Sequence, residues 1–251
     1  MATSKSPTGA SLKIYIDCGS STFQPSPILS NPQYKQKLTT TIVSPYSWFG
    51  ITNILKHRPG LVAHGVNVDI QPFFLGGARD AVGNFWQPTP KWKEAFAAQD
   101  TQLNGELLGL TIVQPEEFPI KSLFPVRVAT YIKDNYPDSK FEATFLALVS
   151  GYWSRGINIS QPAGLIEALS PLFTVSEIEE IMKKAVEPAN KQRVIETTKE
   201  SGAFGAPWII CVDSKGDKKS WFGNDRWDQI FAHLGVPYEP VHVVMPKESK
   251  L

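Results

Sequence analysis

The sequence predicts an α/β fold in which a strand–helix–strand unit and a helix–hairpin–helix unit are separated by a long helical block. Three observations carry this. Leu12 to Asp17 alternates apolar and polar positions with branched and aromatic side chains, as a strand does. From about Gly76 to Glu187 helical patterns follow one another, broken by Pro and Gly, with no strand pattern among them. Trp208–Val212 and Ser220–Phe222 then flank the turn residues Asp213–Asp217, which reads as a hairpin.

The elements follow in order. After the first strand, Gly19 to Ile42 carries Pro25, Pro27 and Pro32 and no helical period, so it reads as a loop or disordered insertion. Its tail, Leu38–Val43, has strand-like composition. Leu12–Asp17 is the better first strand, because Ile14 and Ile16 share one face while Tyr15 takes the other, whereas Thr39–Thr41 fill a central strand poorly. Ser44 is an N-cap residue and Pro45 suits the first helical position, where its missing N–H costs nothing. Trp48, Ile51 and Leu55 give this helix a buried face to about His57. Val66, Val68 and Ile70 make a second strand, so the opening unit favours a parallel pair with a right-handed crossover.

The helical candidates are Lys91–Leu103, Leu123–Asn135, Phe141–Ser154, Pro162–Leu169 and Ser176–Ala185. Both Thr174-x-x-Glu177 and Ser176-x-x-Glu179 have capping-box spacing at the last of these. A charged helix follows from Asn190 to Ser201, and a final one from Asp225 to Leu234, stopped by Gly235. The order describes a thioredoxin-like fold with an inserted all-helical domain. The expected division is 11–78 and 188–238 for the two parts of the thioredoxin-like domain, 79–187 for the insertion, and 239–251 for a tail.

Composition narrows the function classes. The chain has 251 residues, 42% hydrophobic, 20% charged, with a net charge of +1, so it has no electrostatic footprint for nucleic acid and no polybasic membrane patch. No apolar run approaches the roughly 18–20 residues that span a bilayer. Cys18 and Cys211 cannot build a disulfide framework and suit a reducing compartment. Neither sits in a C-x-x-C pair, and His57, His64, His233 and His242 show no ligand spacing, so no metal is expected. The N-terminus has no signal-peptide pattern. The chain ends Ser249-Lys250-Leu251, the peroxisomal address, so peroxisome is the expected compartment, with cytoplasm or mitochondrion as the alternatives.

Three motifs carry chemistry. Ser44-Pro45-Tyr46-Ser47 opens a helix after a strand, where a redox protein of this fold has C-x-x-C. Serine at both ends removes disulfide exchange and leaves a hydroxyl at a helix N-terminus, an environment that favours an anion such as a thiolate. Gly202-Ala-Phe-Gly-Ala-Pro-Trp208 puts a proline directly before a strand, which calls for a turn, a cis bond being one way to make it, and leaves the Ala206 backbone to pair with an extended ligand. Trp221-Phe-Gly-Asn-Asp-Arg226 brings Asn224 and Asp225 to a helix start, where a carboxylate can accept from a ligand ammonium. Taken singly, Ser44 is equally an ordinary N-cap, the Gly/Pro stretch an ordinary turn, and Asp225 a helix cap.

Together, and in this order around a helical block, the three motifs resemble kappa-class glutathione transferases. The related 2-hydroxychromene-2-carboxylate isomerases share the DsbA-like fold and much of the pattern. The resemblance covers Leu12–Asp17 and Val43–Tyr238. It implies that Ser44 meets the glutathione sulfur, that Ala206 before Pro207 pairs with the cysteinyl unit, and that Asn224 and Asp225 hold the γ-glutamyl end. Asn224 departs from the serine that the family often has. Asn84 and Lys93 match the family's Asn and Lys near glutathione, with Lys91 competing for the second role. The implied activity is conjugation of the glutathione thiolate to an electrophilic small molecule, with peroxide reduction as an extension and a homodimer as the assembly. The alternatives are a glutathione-dependent isomerase, or a binding protein inactivated by the insertion. In the family, Asp17-Cys18 would join Val43-Ser44 directly; here the 24 residues Gly19–Ile42 intervene, as a surface loop, as a translated intron, or with Leu38–Val43 replacing the first strand.

Overall fold

The computed structural model describes residues 9–17, 44–85, 90–118 and 120–244. Cys18, the 19–42 insertion, the alternative strand Leu38–Val43 and the terminal Ser249-Lys250-Leu251 lie outside the described residues.

Branched side chains alternating along the chain build the sheet. In β1 (Ser11–Ile16), Leu12, Ile14 and Ile16 are fully buried on one face and Tyr15 is buried on the other. β2 (Asn67–Pro72) runs parallel to β1 with Ile70 opposite Ile14. β3 (Trp208–Val212) runs antiparallel on the other side, Ile209 opposite Ile14, and β4 (Lys218–Phe222) pairs antiparallel with β3. The order is β2-β1-β3-β4, so β1 is an inner strand, as its apolar pattern requires.

A parallel pair needs a crossover, and α1 (Pro45–Ala63) supplies it. Trp48, Ile51 and Ile54 of α1 share one core with Leu12, Ile14, Ile16, Ile209 and Cys211, joined by Ile230 and Leu234 of α9 (Trp227–Leu234). On the other sheet face, Tyr15, Phe73, Ala206 and Ile210 pack with Leu75 and Ala78 of α2 (Leu75–Ala81). Helices α3 (Lys91–Leu107), α4 (Leu123–Asn135), α5 (Asp138–Arg155), α6 (Pro162–Leu169) and α7 (Val175–Ala185) follow, and α8 (Pro188–Ser201) returns the chain to the sheet. Phe141, Phe145 and Leu148 of α5 are fully buried and extend the α1-side core into these helices. No strand lies between Pro72 and Trp208 among the described residues. The thioredoxin-like α/β architecture read from the sequence is the architecture observed.

Several boundaries differ from the sequence reading. α1 passes His57 and carries Pro59 inside it, because buried Leu61 holds its last turn to the core. α2 goes unread in the sequence, since Leu-Gly-Gly-Ala-Arg-Asp-Ala offers two weak helix formers in seven residues. α7 uses one of the two candidate boxes: the Thr174 hydroxyl accepts from Glu177 N–H and the Glu177 carboxylate accepts from Thr174 N–H, while Ser176 lies inside the helix. α9 starts at Trp227 rather than Asp225.

Candidate functional site

At the end of β1, Asp17 is buried and its Oδ2 accepts from Leu75 N–H at 3.1 Å, tying the strand to the start of α2. Its own N–H donates to Ser47 Oγ at 3.4 Å, tying it to the first turn of α1. Ser44 occupies the N-cap position of α1 with extended backbone (φ −93°, ψ 114°), yet its side chain makes no cap hydrogen bond. The hydroxyl instead donates to the Ala206 carbonyl at 3.4 Å. The capping alternative therefore accounts for the position of Ser44 and leaves its hydroxyl for other work.

The turn before β3 is made with a cis Ala206–Pro207 peptide, the alternative the sequence left open. Three contacts fix this loop. Gly50 of α1 lets Pro207 approach so closely that a Cβ at 50 would lie 3.0 Å from the proline Cβ and Cγ. Gly205 has no room for a side chain against the Phe222 ring. Asn84 Nδ2 donates to the Phe204 carbonyl at 2.9 Å, and Arg79 holds Asn84 in turn through its Nε on the Asn84 carbonyl. The structure thus brings together Ser44, Ala206, Pro207 and Asn84.

The other sequence candidates stand further out. Asn224 Oδ1 accepts from Asn53 Nδ2 of α1 at 3.1 Å, which joins that turn to the same helix. Asp225 is not a helix cap: it sits in the turn after Gly223 (φ 94°), 75% exposed, with Oδ1 2.7 Å from Arg226 Nη1. Lys93 and Lys91 are exposed in the first turn of α3. α3 itself reaches the site through Asp100, whose Oδ2 accepts from the Tyr46 hydroxyl. Burial and this bond to a carboxylate push the Tyr46 phenol up to about 12, so it stays a neutral donor through the physiological range. Asn53, Asp100 and Gly50 were missed from sequence because each matters only through a contact between elements far apart in the chain.

The Cys211 thiol is buried and free, and burial pushes it up to about 12. It is a small core side chain rather than a nucleophile. Asp213, Asp217 and His233 bring one ligand atom each within 4.8 Å of one another on the surface. Asp213 Oδ1 there accepts from the N–H groups of Lys215 and Asp217, so the cluster is explained as the β3–β4 turn.

The strand order, the helix-start serine and the loop ending in Pro207 define a class. Residues 40–235 match the DSBA-like thioredoxin domain, and the chain belongs to that family. Within it, the chain is similar to glutathione S-transferase kappa 2 of Caenorhabditis elegans, 26% identical over 210 residues that cover 79% of this chain and 90% of the relative. Glutathione S-transferase kappa 1 of the same organism is 23% identical over 84% of this chain and 95% of its own. A solved 2-hydroxychromene-2-carboxylate isomerase shares the fold with a TM-score of 0.60, at 20% identity over 90% of this chain and 94% of the isomerase. The kappa-class resemblance read from three short motifs thus extends over most of the chain.

Proposed function

We propose that this protein is a glutathione transferase that holds the glutathione thiol at Ser44 and joins it to an electrophilic small molecule. The observation that carries the reading is the Ser44 hydroxyl, placed at the N-terminus of α1 and beside the Pro207 loop without being spent on the cap. At 3.4 Å its bond to the Ala206 carbonyl is near the limit of a hydrogen bond, so exchanging it for a bond to sulfur costs little. A hydroxyl donor and the positive end of a helix both favour the thiolate over the thiol and lower the thiol pKa. The thiolate attacks the electrophilic carbon and the leaving group departs, the protein contributing position and ionisation state.

The remaining residues fit the rest of the tripeptide. The Ala206 backbone supports pairing with the cysteinyl unit. Asn224, tethered by Asn53, and Asp225 support the γ-glutamyl end; an exposed ion pair such as Asp225–Arg226 is worth about 1 kcal/mol or less, so a ligand ammonium can replace the guanidinium. Asn84 acts by holding the Phe204 carbonyl, and Lys93 supplies a cation for the glycyl carboxylate if α3 turns it inward. The similarity to proteins named glutathione S-transferase kappa supports the same assignment.

Calorimetric titration with glutathione, paired with a conjugation assay on an aryl halide, tests the proposal. Binding together with consumption of glutathione is expected, on the full chain and on one lacking 19–42. Turnover that leaves glutathione unconsumed favours the isomerase reading. Binding with turnover only after the deletion marks the chain as an inactive form, and absence of binding in both sinks the assignment.

A further inference from the structure

The strand pairing fixes what the sheet presents on the face away from α1. Alternate residues of a strand share a face and paired residues stand side by side, so the side chains there form rows across the four strands. The row nearest Ser44 runs through Tyr15 and Trp208 and packs with Phe73 and with Leu75 and Ala78 of α2. The next two rows are Asp69–Lys13–Ile210–Ser220 and Asn67–Ser11–Val212–Lys218. Over them lies a cavity of about 540 Å³, walled by Glu200 of α8 and open to solvent. Ser44 meets the other end of the sheet, beside Ala206 before β3.

The charges around this cavity are unequally used. Asp69 accepts from Gln71 Nε2 at 2.9 Å and pairs with Lys13 and Lys133 at 3.4 Å each, so its carboxylate is spent. Ile210 and Val212 make the neighbouring floor apolar. Two further charges border that floor, and neither makes an ion pair among the described residues. One is Lys218, whose neighbour Lys219 takes Asp217 instead. The other is Glu200, in the last turn of α8. The carbonyl end of the helix adds to the Glu200 charge, and Lys199 of the same turn does not line the cavity, so this wall calls for a cation. Lys218 calls for an anion.

Spacing limits what can answer both. Glu200 acts electrostatically on the Tyr15 phenol, whereas Lys218 stands in the farthest row. The Tyr15 and Lys218 positions are two rows and two strands apart, about 17 Å along the diagonal. After the Glu and Lys side chains reach inward, the gap suits the roughly 7–10 Å of two or three extended residues. The cavity is also within the roughly 300–1,000 Å³ of small-molecule sites. A single amino acid is too short to bridge the two charges, and a fatty acid has nothing to offer Glu200.

We propose that this cavity is a second ligand site, which takes a zwitterionic di- or tripeptide with an apolar side chain. Its ammonium lies on Glu200, its side chain on Ile210 and Val212, and its carboxylate on Lys218. The site is independent of the Ser44 reading.

The dipeptide leucyl-leucine, titrated into the isotope-labelled full chain, is expected to shift the backbone amides of Lys13, Ile210 and Lys218 saturably and to leave those of Ser47 and Gly50 in place. Acetylating its amine or amidating its carboxylate should each weaken binding about two- to fivefold, the worth of an exposed ion pair. Glu200→Gln should weaken binding by the same factor and abolish the further effect of acetylation, and Lys218→Met should do so for amidation. Glutathione binding should be unchanged in both variants. Shifts that do not saturate, shifts centred on the start of α1, or an acetylation effect that persists in full in Glu200→Gln each overturn the proposal. So does a loss of glutathione binding in the two variants, which would make the cavity part of the Ser44 site.

Discussion

Two glycines in α1 test how closely the site depends on packing. Alanine is favoured over glycine in a helix interior by about 1 kcal/mol. At Gly60 a new Cβ meets nothing within 4 Å, so Gly60→Ala keeps that gain in full. At Gly50 the same Cβ lies 3.0 Å from both Cβ and Cγ of Pro207, with Ile14 Cδ1 at 3.5 Å behind it. Pro207 is a rigid ring in a loop also held through Gly205 and Asn84, and Ile14 is in the core, so neither neighbour yields freely. Overpacking of this kind costs about 1–3 kcal/mol. Set against the helical gain, Gly50→Ala falls between no gain and a loss of about 2 kcal/mol. Thermal unfolding should therefore raise Tm by about 2–4 °C for Gly60→Ala and leave it unchanged or lower for Gly50→Ala. Because any shift of Pro207 moves the Ala206 carbonyl away from Ser44, Gly50→Ala should also weaken glutathione binding, and Gly60→Ala should not. Equal stabilisation by the two substitutions would refute the close packing of α1 on the Pro207 loop.

Other consequences follow from local chemistry. Thr174→Ala removes a formed capping box and should cost about 1 kcal/mol in denaturant unfolding, whereas Ser176→Ala should change stability by no more than a few tenths. Tyr15 and Tyr46 ionise near 10 in the unfolded chain and near 12 in the fold, both chiefly through burial. The folded chain thus holds more protons between those values, and stability should fall as pH rises from 10 towards 12; a flat unfolding free energy across that window would contradict their burial. Cys211 should resist alkylation until the chain unfolds, which peptide-resolved mass spectrometry after iodoacetamide treatment reads directly.

The sheet was legible because its signals are local. Leu12, Ile14 and Ile16 announce one buried face, and Trp208–Val212 with the turn after it announces a hairpin. The first-strand candidate Leu12–Asp17 forms β1 (Ser11–Ile16) between β2 and β3, while Leu38–Val43 lies outside the described residues. Errors arose where tertiary contacts override local preference. The apolar face read from the sequence ends α1 near His57, but the burial of Leu61 carries the helix onward through Pro59. Asp225 looked like a helix cap because Asp is a good one, yet its carboxylate goes to Arg226 and the helix begins two residues later. The helix-start serine and the proline-ended loop were visible as motifs. What joins them was not: Gly50 under Pro207, Asn84 on the Phe204 carbonyl, Asn53 on Asn224 and Asp100 on Tyr46 all link residues that no periodicity relates.

The central claim is that the Ser44 hydroxyl stabilises a glutathione thiolate. Titrating the thiolate absorbance of the protein–glutathione complex tests it most directly, with Ser44→Ala beside the native chain. The account predicts that bound thiol ionises well below the ordinary cysteine value of about 8.5. In Ser44→Ala that pKa should move back towards the free value, and conjugation at neutral pH should slow far more than binding weakens. An unshifted thiol in the native complex, or full conjugation rate in Ser44→Ala, would contradict it.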